Sequence, residues 1–454
     1  MKYFNTAGPV RPSDHYTLDL FGRINLPEIL TLIEQKKYFI LYAPRQTGKT
    51  SSLLALRDYL NAEGKYHCVY VNVEDAQTAR SDVDRGIKTI IAALHLELRL
   101  SHRNILDKFP DYPKYLNIIP SDQLLNTILS EFSMNLEKPL ILFIDEIDSL
   151  VGDTLISVLR QLRSGYINRP RGFPQTVILC GVRDLQDYRI HSEREQAIIT
   201  GGRAFNIKVK SIRLGNFTKD EIQRLYLEHT KETGQEFEEE VFEYAWELTE
   251  GQPWLVNALA YESCFELEKN RNNRITREMI EQAKENIILR RDKHIDILID
   301  KLSEPRVRRV IEPILYSEDE TIEMNPNDIS YVEDLGLIKL KNGKYVISNA
   351  IYREVIPREL IYTKQGTLDI EPLQYIKDIK IQIDKLMIRF QEFYRENSEV
   401  WLERFAYKEA GPYLLLMAFL QRVINGGGTI HREYGLGRRR IDLLVKFNKQ
   451  KICI

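Results

Sequence analysis

The stretch FILYAPRQTGKTSSLL, residues 39–54, constrains the fold of this 454-residue chain more than any other segment. An apolar run of β type ends at Ala43, a short polar turn leads to Gly48, and helix-forming residues follow Lys49. A strand, a loop and a helix in this order are the context that a phosphate-binding loop requires. The pattern therefore predicts an α/β fold with a phosphate site where the first strand ends.

The loop supplies a set of candidate nucleotide-binding residues. Its backbone N–H groups would surround a β-phosphate, and the helix that begins near Lys49 would add its positive dipole end. Gly48 lets the backbone approach the phosphate, Lys49 would bridge the β- and γ-phosphates, and Thr50 would coordinate Mg²⁺. Ala43 stands where the motif usually has its first glycine, a position that mainly needs a small residue. The predicted cofactor-binding residues of the loop are Ala43, Pro44, Arg45, Gln46, Thr47, Gly48, Lys49, Thr50 and Ser51.

A second motif, PLILFIDEIDSL at residues 139–150, ends an apolar run in adjacent carboxylates. Asp145 at the tip of the predicted strand would hold a Mg²⁺-bound water, and Glu146 would polarise the water that attacks the γ-phosphate. A turn with a surface lysine and an acidic pair that caps a strand are the alternative interpretations of the two motifs taken singly. Together the motifs predict that the chain binds and hydrolyses a nucleotide, with Glu146 and Lys49 as catalytic residues.

Apolar runs alternate with helical patterns in the first 210 residues, which predicts a parallel sheet with crossover helices. Arg183, after the fourth run, is a candidate catalytic sensor of the γ-phosphate, and a solvated arginine is the alternative. Arg160 and Arg163 either act on a neighbouring subunit's nucleotide or form a solvated helix face. The predicted strands are Tyr38–Tyr42, Cys68–Val73, Leu140–Ile144, Thr176–Cys180 and Phe205–Ile212.

Composition limits the partners. The 64 basic and 66 acidic residues nearly cancel, so any affinity for nucleic acid must come from a local patch. Four cysteines without CxxC spacing indicate reduced thiols. The N-terminal segment has no signal-like apolar core, and no run reaches the ~18 apolar residues that span a bilayer. We therefore expect a cytoplasmic protein with no membrane partner and, from its length, about three domains.

Four segments together resemble the AAA-like ATPases of the STAND type found in bacteria and archaea. These segments are APRQTGKTS, LFIDEIDSL, LGNFTKDEI and TEGQPWLVN. The resemblance implies ATP and Mg²⁺ as cofactors, with a P-loop ATPase core of RecA/AAA-like type over residues 1–213 and a helical lid over residues 214–290. It also implies that Gln252 and Pro253 pack beside the adenine, while the segment before the first strand closes the other side. By itself, the Gly-Gln-Pro tripeptide is an ordinary break between helices.

Two local sequence patterns predict the structure of the middle of the chain. Thr218 and Glu221 form a capping box that predicts the start of the first lid helix. Residues 291–362 read as helices followed by a hairpin around Asn342-Gly343, which is a winged-helix pattern that family members carry here. Because the helix that would enter DNA, DISYVEDLG, is acidic, we interpret this unit as a relay or an interaction surface.

Residues 363–454 resemble the front half of a PD-(D/E)XK nuclease domain, after an amphipathic helix predicted over about 372–398. The resemblance rests on HREYGLGRRRIDLLV and the preceding helix that carries Glu409. It implies that Asp442 is the first metal-binding acid and that Glu409 assists it, with Glu433 as a weaker candidate. The Glu-x-Lys that the fold needs is missing from the next strand, KICI, where the chain ends. We therefore expect this chain not to cleave nucleic acid.

The C-terminal segment also carries the one clear basic patch. Arg438, Arg439 and Arg440, with Arg432 and Lys446, either contact DNA phosphates or form a solvated run.

The leading hypothesis is an ATP-dependent molecular switch that couples nucleotide state to the nuclease-like domain, in nucleic-acid processing or defence by analogy. One alternative is a nucleotide-regulated scaffold with little turnover, which would self-associate or assemble protein partners. Another is an ATPase-regulated, metal-dependent DNA nuclease, if the gene continues with a Glu-x-Lys. The sequence leaves open whether DNA or a protein triggers hydrolysis. The preference for ATP over GTP rests on the resemblance alone.

Overall fold

The computed structural model describes most of the chain and divides it into two compact units. The first unit contains Met1–His294, Ile329–Lys339 and Ser348–Ala350, and the second contains Ile295–Asp328, Leu340–Ile347 and Ile351–Ile454. The described residues are 1–184, 189–192, 197–200, 205–316, 324–365, 375–377, 380–404, 416, 420, 423, 428–436, 439–447 and 449–454.

The helices of the described residues are, in chain order, α1 (Leu26–Glu34), α2 (Lys49–Glu63), α3 (Val83–Ser101), α4 (Ser121–Asn135), α5 (Gly152–Gly165), α6 (Lys219–Thr233), α7 (Glu239–Thr249), α8 (Pro253–Tyr261), α9 (Arg277–Arg290), α10 (Lys293–Leu302), α11 (Pro305–Tyr316), α12 (Pro326–Asp334), α13 (Ala350–Gln365) and α14 (Ile383–Arg404). No helix in this part of the chain is long and apolar enough to cross a lipid bilayer.

The strands are β1 (Tyr38–Tyr42), β2 (His67–Asn72), β3 (Leu140–Asp145), β4 (Thr176–Gly181), β5 (Arg189–Ser192), β6 (Ala197–Thr200), β7 (Lys208–Arg213), β8 (Ile338–Lys341), β9 (Lys344–Ile347), β10 (Ile376–Lys377), β11 (Lys380–Ile381), β12 (Gly428–Leu436), β13 (Arg439–Phe447) and β14 (Gln450–Cys453).

A five-stranded parallel sheet in the order β2-β3-β4-β1-β7 forms the centre of the first unit. The predicted parallel α/β architecture is confirmed, and four strands lie within one residue of their predicted bounds. The fifth, β7, begins at Lys208 rather than at Phe205. Phe205 is apolar because it is buried beneath the ring of Tyr38, with the two rings stacked at 6.3 Å, and not because it belongs to the strand.

Helices cover both faces of this sheet, which explains why its strands are apolar throughout. Successive side chains of β1 point to opposite faces of the sheet. Tyr38 and Ile40 pack with α3, α4 and α5, whereas Phe39 and Leu41 pack with α1 and α2. The doubly buried sheet therefore fixes where each strand ends, and the carboxyl ends of β1, β3 and β4 lie along one edge.

The segment predicted to form the lid, residues 214–290, begins with the predicted capping box. The Thr218 hydroxyl accepts from the Glu221 backbone N–H at 3.2 Å, and the Glu221 carboxylate accepts from the Thr218 N–H at 2.7 Å. The N-terminal segment packs on the lid helices, because Phe4 is fully buried against Tyr226 and His229. The start of the chain and the lid thus share an aromatic core.

Residues 291–362 contain the predicted helices and hairpin in the predicted order, and most of α12 belongs to the first unit. Asn342 and Gly343 both have positive φ, 52° and 79°, as a two-residue hairpin turn of this sequence requires. The assignment of this region as a winged helix stays a prediction. The expected helix over 372–398 is wrong at its start, because β10 and β11 form an antiparallel pair before α14 begins. The alternation of isoleucine with polar residues from 379 to 383 suits a strand as well as a helix.

A three-stranded antiparallel sheet, β12-β13-β14, closes the chain. It packs with α14 in a cluster that includes Leu386, Phe390, Leu443 and Val445. Asp442 lies within β13 rather than at the end of a strand. β13 pairs with β12 on one side and with β14 on the other, and both pairings include residues beyond Asp442.

Gly251 in the lid offers a test of this packing. Its φ is +74°, and a Cβ there would lie 1.9 Å from the carbonyl oxygen of Phe217. We expect Gly251→Ala to lower the free energy of unfolding by about 3 kcal/mol, because backbone strain and steric overlap add. Gly234 is the matched control, with φ +78° and nothing within 4 Å, so Gly234→Ala should cost only about 1 kcal/mol. Urea denaturation measures both, and equal losses would contradict the argument.

Candidate functional site

The predicted phosphate loop links β1 to α2 and turns through two residues in the left-handed region. Gln46 has φ 57° and Gly48 has φ 90°. The Thr47 hydroxyl donates to the Pro44 carbonyl at 2.7 Å and closes the turn, and α2 begins at Lys49 as predicted. The first N–H groups of α2 have no partner within the helix, so they are free to face an anion at this point.

Lys49 lies inside the loop rather than on the surface. Its side chain is buried, and Nζ donates to the carbonyl oxygens of Ala43 and Pro44 at 3.0 Å each. The ammonium group is therefore held at the carboxyl end of β1, in the middle of the loop. A surface lysine on a simple turn would not be placed in this way.

The two sequence motifs meet at Asp145. Its carboxylate is fully buried at the tip of β3, where Oδ2 accepts from the Thr50 hydroxyl at 2.7 Å and from the Tyr70 hydroxyl at 3.0 Å. Burial and the adjacent carboxylate raise the pKa of Tyr70, so its phenol stays protonated and donates. Tyr70 on β2 was not predicted from sequence, since nothing in its local pattern points to the site.

The donor set at this point suits Mg²⁺. That ion takes oxygen ligands and is usually bound by one or two protein groups, with waters and substrate phosphates completing the shell. The Thr50 hydroxyl and the Asp145 carboxylate are two such oxygen donors, held within hydrogen-bond distance of each other. They are the residues that would hold the ion.

Glu146 turns sharply away from the strand. Its φ is 56°, and its backbone N–H donates to Oδ1 of Asp145 at 2.9 Å. Burial raises the pKa of its carboxyl, and Asp148 raises it further, while Lys49 acts in the opposite direction. A carboxylate with a raised pKa is a better proton acceptor than an ordinary surface glutamate.

Residues of the N-terminal segment and of the predicted lid both line a cavity beside the loop. Pro253 lines it on the lid side, and Ser51 accepts from the backbone N–H of Val10 at 2.9 Å. Gln252 caps α8 and also reaches the phosphate loop, with Nε2 donating to the Gln46 carbonyl at 3.5 Å. The lid residues predicted to lie near the adenine are therefore next to the loop.

Arg23 is a second residue of the site that the sequence reading missed. Its guanidinium lies over the Phe217 ring at 4.8 Å, and Nε donates to the Gly215 carbonyl at 2.9 Å. A Cβ on Gly48 would lie 3.2 Å from its Nη1, so the charge is beside the phosphate loop. Burial lowers the pKa of Arg23 to about 10, and the group is still cationic at neutral pH.

The other predicted site residues are Arg183, Asp442 and Glu409. Arg183 follows β4, with its guanidinium 4.9 Å from the centroid of the Tyr331 ring, and its role as a sensor stays a prediction. Asp442 belongs to β13, and its role as a metal ligand also stays a prediction. Glu409 lies outside the described residues.

The chain is similar to known proteins in sequence and in fold. A family model described as an AAA-like domain matches residues 28–357. A Walker-type ATPase of Pyrococcus abyssi is 15% identical, with 78% of this chain and 99% of that chain covered and a TM-score of 0.54. Cdc6p of Pyrobaculum aerophilum is also 15% identical, with the same coverage and a TM-score of 0.42.

No curated protein sequence matches the chain. The likeness to the Pyrococcus structure supports the fold alone, whereas the family model covers well over half of the sequence. The phosphate loop, the acidic pair and the lid all fall inside the matched residues. The protein therefore belongs to the AAA-like domain family of P-loop ATPases.

Proposed function

We propose that the protein binds ATP with Mg²⁺ and hydrolyses it, and that it uses the nucleotide state as a molecular switch. The observation that carries this proposal is the meeting of the two motifs. Thr50 at the start of α2 donates to Asp145 at the end of β3, with Lys49 and Glu146 as their immediate neighbours in the chain. Groups that are suited to binding phosphate, holding a metal ion and accepting a proton thus lie at one edge of the sheet.

Binding follows from the loop. The N–H groups that begin α2 and the positive end of its dipole attract the phosphates. Lys49 adds a full charge within the loop, and Arg23 adds a second beside Gly48. The base would occupy the cavity between the N-terminal segment and Pro253. ATP rather than GTP is proposed from the family resemblance.

Hydrolysis follows from the acidic pair. Mg²⁺, when bound, neutralises charge on the β- and γ-phosphates and orients them. Thr50 and Asp145 would hold the ion, Glu146 would accept a proton from the attacking water, and Lys49 would stabilise negative charge on the γ-phosphate. Arg183 would contact the γ-phosphate from the end of β4.

The switch is supported by contacts that surround the loop in the first unit. Tyr331 lies against Arg183, and a Cβ on Gly336 would lie 2.6 Å from Cγ of Pro44. Lys339 pairs with Glu250 of the lid. Segment 329–339 therefore contacts both the phosphate loop and the lid, so a change in the loop would reach the rest of the predicted winged-helix region through the chain.

The output of the switch is proposed by analogy. We propose that the nucleotide state controls the C-terminal nuclease-like region, in nucleic-acid processing or defence. A nucleotide-regulated scaffold with little turnover is the second candidate, and it is favoured by the acidic helix α12, which would not hold DNA phosphates. A nuclease regulated by the ATPase is the third, if a Glu-x-Lys follows in the gene.

Removal of the loop charge tests binding. We expect Lys49→Ala to weaken ATP binding at least about 100-fold, because charge-assisted hydrogen bonds to the phosphates are lost. Isothermal titration in the presence of Mg²⁺ measures the affinity. Lys88→Ala, which breaks an i,i+4 pair with Asp84 on α3, is the control and should bind ATP normally. Equal affinity of Lys49→Ala and wild type would refute the assignment of the loop.

Removal of the proton acceptor distinguishes the switch hypothesis from the scaffold hypothesis. Glu146→Gln should bind ATP with near wild-type affinity yet release phosphate at least 100-fold more slowly, a typical loss for a general base. Unchanged turnover would remove Glu146 from its role.

The same phosphate-release assay should include double-stranded DNA. Stimulation that is lost in Glu146→Gln would support a nucleic-acid partner. Slow phosphate release that DNA does not stimulate would favour the scaffold hypothesis and a protein trigger.

The pKa of Glu146 predicts an acid limb in the pH profile. A base must be deprotonated to act, so kcat/KM should fall as the pH drops through a midpoint above the ordinary glutamate value of 4.5. Steady-state phosphate release between pH 5 and 8.5 measures the profile. The residual activity of Glu146→Gln should lack this limb, and a limb of equal midpoint in both proteins would assign it to another group.

A further inference from the structure

Gln46 in the phosphate loop is held by residues that lie more than 200 positions away in the sequence. It adopts φ 57° although it is not glycine, so its surroundings must favour the left-handed region. Its backbone carbonyl accepts from Nε2 of Gln252, and its side-chain Oε1 lies 2.5 Å from Nδ1 of His294. Both the main chain and the side chain of this residue are therefore fixed from outside the loop.

His294 is placed to donate a hydrogen bond. An amide oxygen only accepts, so the ring nitrogen that faces it must carry the proton. The imidazole is almost fully buried, and burial lowers its pKa to about 3, which keeps the ring neutral near pH 7. A neutral ring has one N–H, and the contact with Gln46 orients that N–H toward the loop.

The ring of His294 is itself held by the lid. It stacks on Trp254 with a centroid distance of 4.9 Å and an interplanar angle of 16°. The indole Nε1 of Trp254 donates to the carbonyl of Thr6 at 2.8 Å. A continuous set of contacts thus joins the N-terminal segment, the lid and the phosphate loop.

We propose that His294 is a positioning residue of the nucleotide site, which holds Gln46 so that the loop presents its backbone N–H groups to the phosphates. This inference rests on the proposed binding of ATP. It makes nucleotide affinity depend on the lid, because Gln252 donates to Gln46 directly and Trp254 holds the ring of His294. It also places a loop contact at the start of α10.

A double-mutant cycle tests whether His294 acts through Gln46. We expect His294→Phe to keep the stacking on Trp254 but to lose the N–H donor, which should weaken ATP and ADP binding about 5- to 10-fold. Gln46→Ala should have an effect of the same size. The double variant should be no weaker than the weaker single variant, since both remove one interaction. If the double variant loses about 25-fold or more in affinity, which is the product of two independent losses of about 5-fold, the proposal is overturned.

Two further variants distinguish positioning from a structural role. His294→Asn retains a side-chain N–H donor and should recover part of the affinity that His294→Phe loses. His102→Ala removes another histidine of the first unit, which contributes nothing to the site, and should bind ATP as wild type does. Failure of His294→Asn to exceed His294→Phe, measured by isothermal titration, would indicate packing alone and reject the proposal.

A nucleotide-free measurement separates this inference from the proposed function. If the wild type does not bind ATP, the proposed function fails, and the contact is then tested by thermal unfolding. His294→Phe and Gln46→Ala should be non-additive in their shifts of Tm if the two side chains interact. Additive shifts would overturn the inference whether or not ATP binds.

Discussion

The hydrogen bond between Thr50 and Asp145 is the contact on which the rest of the candidate site depends. It joins the first turn of α2 to the tip of β3 across 95 positions of sequence. A buried carboxylate is costly unless its oxygens are hydrogen-bonded, and here the Tyr70 hydroxyl and the Glu146 backbone N–H supply the other bonds. The acid that we propose as a metal ligand is therefore oriented by the protein itself, and a ligand has little left to rearrange.

Backbone strain also occurs at the same edge of the sheet. Gln46 and Glu146 both adopt positive φ although neither is glycine, at a cost of about 1–3 kcal/mol each. Each turn has a consequence for the site, since one shapes the phosphate loop and the other directs a carboxylate away from the strand beside Asp145. Such conformations persist where the surroundings over-determine them. The two apolar cores on either face of the sheet, together with lid contacts to Gln46, supply that constraint.

Local patterns predicted the parts of the protein that short-range physics decides. Apolar runs gave four of the central strands almost to the residue, because a sheet covered on both faces needs apolar side chains at every position. The Thr218 capping box and the turn at Asn342-Gly343 formed as expected, since their hydrogen bonds and backbone angles are set within a few residues. The prediction over 372–398 was wrong at its start, where apolar spacing allowed a strand as well as a helix.

The sequence by itself determined the parallel α/β sheet, the phosphate loop and the acidic pair, because each motif carries its own chemistry in consecutive residues. Only the tertiary structure decided which distant groups complete the site. Nothing in the local pattern around Tyr70 or Arg23 points to the site, and His294 reaches Gln46 across 248 positions. Contacts of this kind follow from how a chain packs around its core, and no spacing of residue types encodes them. The candidate site could thus be located from sequence, whereas the distant residues that contact it could not.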